Sequence, residues 1–283
     1  MSKFVTKQSE IEETGILLPP KHDSYYFYTD HVDSLMNPLE MFFGLVSSDR
    51  NNDPQERTPE MEGYVCFCRC LSYFQSENVA MWKMYADKRK EGSSKEITNE
   101  KGICFRYTSS IIGKFAEKVC NLSIVFKNKK GTSTRYDAKE LVKNEKLRIK
   151  LLNVVYYKKA GHSNLLLRST HKAHVSDEVF ESVSLKNPMK NICWSYETEA
   201  KLYCYLSDSF LKGIAGRKPI TGVIDGIVIT FKNDERTNIR IRRHPEEKNG
   251  LNPQIHYDKN VQIEDSELKG HVRLEANQSK KEE

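Results

Sequence analysis

No stretch of this chain reaches the roughly 18 consecutive apolar residues that a membrane-spanning helix needs. The opening MSKFVTKQSEIEETG likewise lacks the apolar core of a secretory signal. Together these absences predict a chain without membrane segments and a cytoplasmic setting. Tryptophan is scarce at 2 residues and the hydrophobic share is only 38%, yet 14 Tyr and 12 Phe exceed what a disordered chain carries. The 283 residues are therefore expected to fold around a sizeable core, with polar loops. A Gly-rich phosphate loop of either standard spacing is missing, which argues against a P-loop or Rossmann-type site. The Ser nucleophile elbow is missing too, which removes the commonest hydrolase class, and no internal repeat is visible.

The 7 cysteines are an odd number, spread through apolar contexts, and predict reduced thiols in place of a disulfide framework. Cys66, Cys68 and Cys70 would share one face of an extended segment. Their one-residue gaps do not suit the turn that converges zinc-binding sulfurs. His171 and His174 have no Glu or Cys close in sequence, and no metal site is predicted.

Positive charge is modest at +6 but clustered. Lys127, Lys129 and Lys130 form one group; Lys143, Lys146, Arg148 and Lys150 a second; Arg236, Arg240, Arg242 and Arg243 a third. Such groups are ordinarily solvated faces, but they admit a polyanionic partner such as nucleic acid.

The most informative segment is Cys193 to Leu206, CWSYETEAKLYCYL. Strict alternation sets Trp194, Tyr196, Ala200, Leu202, Cys204 and Leu206 on one side of a strand. Ser195, Glu197, Glu199, Lys201 and Tyr203 fall on the other. Glu197 and Glu199 would then stand as near-parallel acids able to perturb each other, suited to general base work or to stabilising a cationic transition state. The simpler reading is a solvated outer face.

Other patterns predict strands at Tyr25–Thr29, Tyr64–Cys70, Gly102–Tyr107, Leu122–Phe126, Leu152–Lys158, Val223–Phe231 and Ile239–Arg243. Helices are predicted at His31–Leu45, Ser76–Asp87, Ser109–Lys118, Ala138–Leu147 and Ser176–Asn187. The second of these carries Trp82 and Tyr85 three residues apart. Residues 47–62 and KNKKGTSTRYD read as loops. The expected organisation is a leader over 1–20, one domain over 21–244 and a charged C-terminal extension over 245–283. Irregular succession of strands and helices favours an α+β fold with a mixed, mostly antiparallel split sheet and flanking helices.

Five blocks in order, YYFYTD, NDPQE, CFC with MWKMYAD, GICF and KNICWSYETEAKL, resemble the bacterial domain of unknown function 2971 family. That family's pattern is in turn similar to ADP-ribosyltransferases, which split nicotinamide from NAD and pass ADP-ribose to a macromolecule. The resemblance implies an ADP-ribosyltransferase-like fold with NAD as substrate. It implies Glu199, or Glu197, as the catalytic acid, and Tyr26, Phe27, Tyr28, Thr29, Trp82 and Tyr85 around NAD. It further implies a toxin or antiviral-defence role, with RNA or DNA as possible acceptor and an acidic antitoxin as possible partner. The chain departs from the pattern at Phe27, where a basic residue or His is usual, and at Lys201 in place of Arg; His31 or Arg50 could substitute. Two other readings stand beside this one. The first is a binding module for nucleic acid or a partner protein, without catalysis. The second is a metal-dependent nuclease using Asp53, Glu197 and Glu199.

Overall fold

In the computed structural model, residues 24–29, 37–46, 62–73, 76–86, 102–127, 133–160, 163–168, 171–246 and 262–270 are described. The architecture is mixed α+β, dominated by an 11-stranded, mostly antiparallel sheet. Its centre is a pair of long strands, β3 (Tyr64–Tyr73) and β12 (Glu199–Ser207), in register over nine residue pairs from Glu199↔Ser72 to Ser207↔Tyr64. On the outer side of β12 lies β7 (Leu147–Asn153).

The other edge of β3 is shared. Its C-terminal half pairs with β1 (Ser24–Thr29) and its N-terminal half with β2 (Glu40–Leu45). From β1 the sheet continues through β4 (Ile103–Thr108) and β14 (Ile239–Arg243) to β15 (Gln262–Glu264), the last step being parallel. From β2 it continues through β13 (Ile224–Phe231) and β5 (Val119–Phe126) to β6 (Ser133–Asp137). The sheet thus takes in Gln262–Glu264, beyond residue 244. A second, four-stranded sheet is formed by β8 (Val155–Ala160), β9 (Ser163–Arg168), β10 (His171–Val175) and β11 (Met189–Asn191), and it packs against the helix Asp177–Lys186.

Period-two alternation gives the large sheet two unlike faces. One face carries Tyr25, Leu71, Tyr73, Phe105, Tyr107, Leu202, Leu206 and Ile241. It forms the main core with the helices Ser109–Gly113, Phe115–Lys118, Ala138–Lys143 and Asp208–Ala215. The opposite face carries Tyr26, Tyr28, Cys70, Ser72, Glu199 and Lys201. The helix α1 (Val79–Tyr85) covers part of it, packing Met81 and Trp82 on Tyr26, Tyr28 and Cys104. Strands β1 and β12 are buried on both faces, so eight consecutive positions of β12 and all of β1 but Phe27 are buried.

The structure also differs from the sequence expectation in local elements. Glu40–Leu45 is strand, not helix, with Met41 and Phe43 buried and Glu40 and Phe42 outward. Asn37 accepts from Leu39 N at 3.0 Å and turns the chain there. Within KNKKGTSTRYD, Ser133–Asp137 forms an edge strand. The expected strand at Leu152–Lys158 is two strands divided at Val154, one for each sheet. Cys193–Thr198 is not strand: Ile192–Glu197 coils as a 3-10 helix, and Thr198 takes a left-handed conformation at φ 41. His31–Met36 and residues 47–61 lie outside the described residues. Among the described residues no helix is long and apolar enough to cross a membrane.

Candidate functional site

Thr198 decides where the two acids go. A left-handed backbone is costly for a β-branched residue, but it lets the 3-10 helix turn directly into β12. Tyr73 N donates to Thr198 O at 2.9 Å and fixes the turn against β3. Glu197, last in the 3-10 helix, and Glu199, first in β12, consequently converge on one ammonium. Lys190 Nζ lies 2.9 Å from Glu197 Oε2 and 2.6 Å from Glu199 Oε2. Both glutamates are only 4% exposed, so the simple reading of a solvated outer face does not hold.

The two glutamates and Lys190 line a cavity of about 210 Å³ together with Tyr26, Tyr28, Cys70, Ser72, Met81 and Tyr85. Tyr85 donates its hydroxyl to Glu197 Oε1 at 2.6 Å. The helix that presents Tyr85 is capped by Asn78, whose Oδ1 accepts from Ala80 N at 2.8 Å. The same side chain donates to Tyr196 O at 3.0 Å, tying α1 to the 3-10 helix. Glu199 is held from behind as well, where its backbone N donates to Tyr156 OH at 2.8 Å.

The two carboxylates are not equivalent. Glu197 accepts hydrogen bonds from Tyr85 and Lys190. Glu199 meets Lys190 at 2.6 Å and Lys201 at 3.9 Å as ion pairs. Burial pushes the Glu199 carboxyl above the usual range; Lys190 and the Cys70 thiol pull it back, and Glu197 adds to the rise. Burial alone would lower Lys190, but Glu199 and Glu197 hold its ammonium above the ordinary lysine range. Burial lowers Lys201 to about 8.

Of the residues expected from the sequence, Glu197, Glu199, Tyr26, Tyr28 and Tyr85 meet at this cavity. Phe27 borders it but belongs to the other face: its ring packs on the main core, 6.4 Å from Phe105 and under the Arg69 guanidinium. A basic side chain at that position would point away from the cavity, so Phe27 removes no ligand contact. Trp82 is fully buried behind the cavity, edge-on to Tyr28 at 5.2 Å and donating Nε1 to Glu77 at 2.9 Å. Thr29 is buried beyond the cavity's border. His31, Arg50 and Asp53 lie outside the described residues.

Sequence reasoning passed over Lys190, although it opens the block KNICWSYETEAKL, because seven residues and a change of sheet separate it from Glu197. Cys70 was grouped with buried thiols; it is open to the cavity beside Glu199. The third basic group is largely spent on ion pairs, Arg242 with Glu77 and Glu267, Arg243 with Asp265. No family model, curated protein or solved structure matches this chain.

Proposed function

We propose that the chain is an ADP-ribosyltransferase-like enzyme that breaks the nicotinamide–ribose bond of NAD at this cavity and passes ADP-ribose to a macromolecule. The observation that carries the reading is the meeting of two buried glutamates with three tyrosines around one half-open cavity. Cleavage makes the anomeric carbon cationic as the bond electrons leave with nicotinamide. A buried carboxylate at the cavity wall stabilises that charge, and Glu199 is placed there. Glu197, already polarised by Tyr85, is the acceptor for the proton that the attacking nucleophile gives up. Tyrosine walls suit a flat aromatic leaving group. The cavity's size fits the nicotinamide and its ribose, not a whole dinucleotide.

A nucleic acid is the proposed acceptor. Lys146, Arg148 and Lys150 project as an exposed basic row along the edge strand β7, with Arg148 stacked 4.8 Å from the Tyr64 ring. The nuclease reading loses ground because the Lys190 ammonium fills the position between Glu197 and Glu199 that a divalent cation would need. Incubation with labelled NAD and cellular RNA, DNA or protein tests the proposal. Transfer or nicotinamide release is expected, falling by about two orders of magnitude in Glu199→Gln. Neither signal above a Glu199→Gln control would sink it.

A further inference from the structure

One rung of the large sheet runs from the acid to a pair of arginines. Glu199 on β12, Ser72 on β3, Tyr26 on β1, Arg106 on β4 and Arg240 on β14 are successive cross-strand neighbours on one face. At about 4.8 Å per strand, the Arg106 backbone lies about 14 Å from that of Glu199. Arg106 and Arg240 are each about a quarter exposed, at 29% and 26%. On the next rung, Arg242 is buried and already met by Glu77 and by Glu267 at 2.7 Å.

Among the described residues, what remains for the two outer guanidiniums is a single carboxylate. Glu264, on the C-terminal strand β15, stands 3.9 Å from Arg106, 3.4 Å from Arg240 and 3.4 Å from Arg242. All three distances exceed the roughly 2.7 to 2.9 Å of a good charge-assisted hydrogen bond. Arg106 makes one other side-chain contact, donating Nε to Ser24 Oγ at 2.8 Å. The carboxylate is shared loosely among three cations, and two of those cations remain about a quarter exposed. A phosphoryl group, with more oxygens and more charge than a carboxylate, matches such a pair better.

We propose that Arg106 and Arg240 form a phosphate-binding site, and that Glu264 of the C-terminal strand occupies it when the site is empty of ligand. The site stands on these arginines and does not depend on the reading of the cavity. Its ligand is a diphosphate or similar phosphoryl anion, borne by the molecule in the cavity or arriving free. Because β15 contributes only three paired residues at the sheet edge, exchange of Glu264 for a phosphoryl group leaves the rest of the sheet in place.

Titration calorimetry of the full chain with inorganic pyrophosphate tests this. Arg240→Gln is the primary variant, since among the described residues its ion-pair partner is Glu264, and Arg106→Gln is the second; each is expected to weaken binding at least tenfold with an unchanged melting temperature. Glu264→Gln is expected to tighten binding severalfold. Glu267→Gln, which removes the same charge from the same segment but faces Arg242, is expected to leave affinity unchanged. Equal tightening by both glutamine variants, or undiminished binding in both arginine variants, would overturn the proposal. So would loss of pyrophosphate binding in Glu199→Gln, which would move the anion to Lys190. Displacement of pyrophosphate by NAD would assign the anion to the cavity's ligand, and simultaneous binding would assign a free phosphoryl species. Arginine-dependent pyrophosphate binding without any ADP-ribosyl transfer would leave this site standing and remove the reading of the cavity.

Discussion

Among the described residues Lys190 is the one cation that touches both acids of the cavity, and the three charges are withdrawn from water together. Removing one partner from such a buried group leaves the others uncompensated. Lys190→Met is therefore expected to cost about 3 to 5 kcal/mol in denaturant unfolding, with part recovered when Glu199→Gln is added. Lys201 gives a different pH signature. Burial lowers its pKa to about 8, below the roughly 10.4 of an unfolded chain, so the unfolded state holds more protons between those two values. Its contribution to stability is unfavourable below pH 8 and is relieved as pH rises through that window. Subtracting the unfolding curve of Lys201→Met from that of the wild type isolates it from the buried thiols and phenols, which act in the opposite sense. The difference should move in favour of the wild type between pH 8 and 10; a flat difference would show that Lys201 is not held in this state. Thr198 completes the local picture, since its left-handed turn brings Glu197 and Glu199 to one ammonium and nothing in the residue type announces it.

At the scale of elements, α1 is short, and its seven residues would not persist alone. Its position depends on what anchors it. Asn78 caps it and reaches Tyr196. Just ahead of the cap, buried Glu77 takes hydrogen bonds from Trp82 Nε1, Arg242, Ser266 Oγ and, at 3.2 Å, Glu267 N. This carboxylate fastens α1 to β14 and to the C-terminal segment in one place. Glu77→Ala is expected to destabilise the fold by about 3 to 5 kcal/mol, because it leaves Arg242 buried and undercompensated. Amide exchange in Val79–Tyr85 should accelerate with it. Asn78→Ala should cost about 1 kcal/mol and, by loosening Tyr85, lower turnover more than stability; unchanged turnover would separate α1 from the site.

The whole molecule joins two sheets at the acid pair. Val154 hands the chain from β7 to β8 and donates its N–H to Glu199 O at 2.9 Å. The small sheet pairs Lys190 with Tyr156, and these two residues grip Glu199 by its carboxylate and by its backbone N–H. The large sheet supplies Glu199, α1 supplies the tyrosine on Glu197, and the small sheet supplies the cation of both acids. Tyr156→Phe would leave the Glu199 N–H buried without an acceptor, a loss of about 1 to 3 kcal/mol. Turnover should fall with it although Tyr156 does not border the cavity; retained turnover would show that the small sheet does not position the acid.

Alternation and composition alone determined the main strands, because a residue pattern of period two survives whatever the strand packs against. They located β1, β3, β4, β5, β13, β14 and, as the second half of the segment Cys193–Leu206, β12, together with the helix carrying Trp82 and Tyr85 and the acids as a pair. Short-range signals failed where a distant contact set the backbone, as at the strand Glu40–Leu45 and the coil Ile192–Glu197. Only the tertiary structure decided that the glutamates face a shared cavity, that Phe27 turns to the core, and that Lys190 bridges the pair. Burial and ion pairing depend on elements far apart in the chain, and local spacing carries no record of which of them will meet.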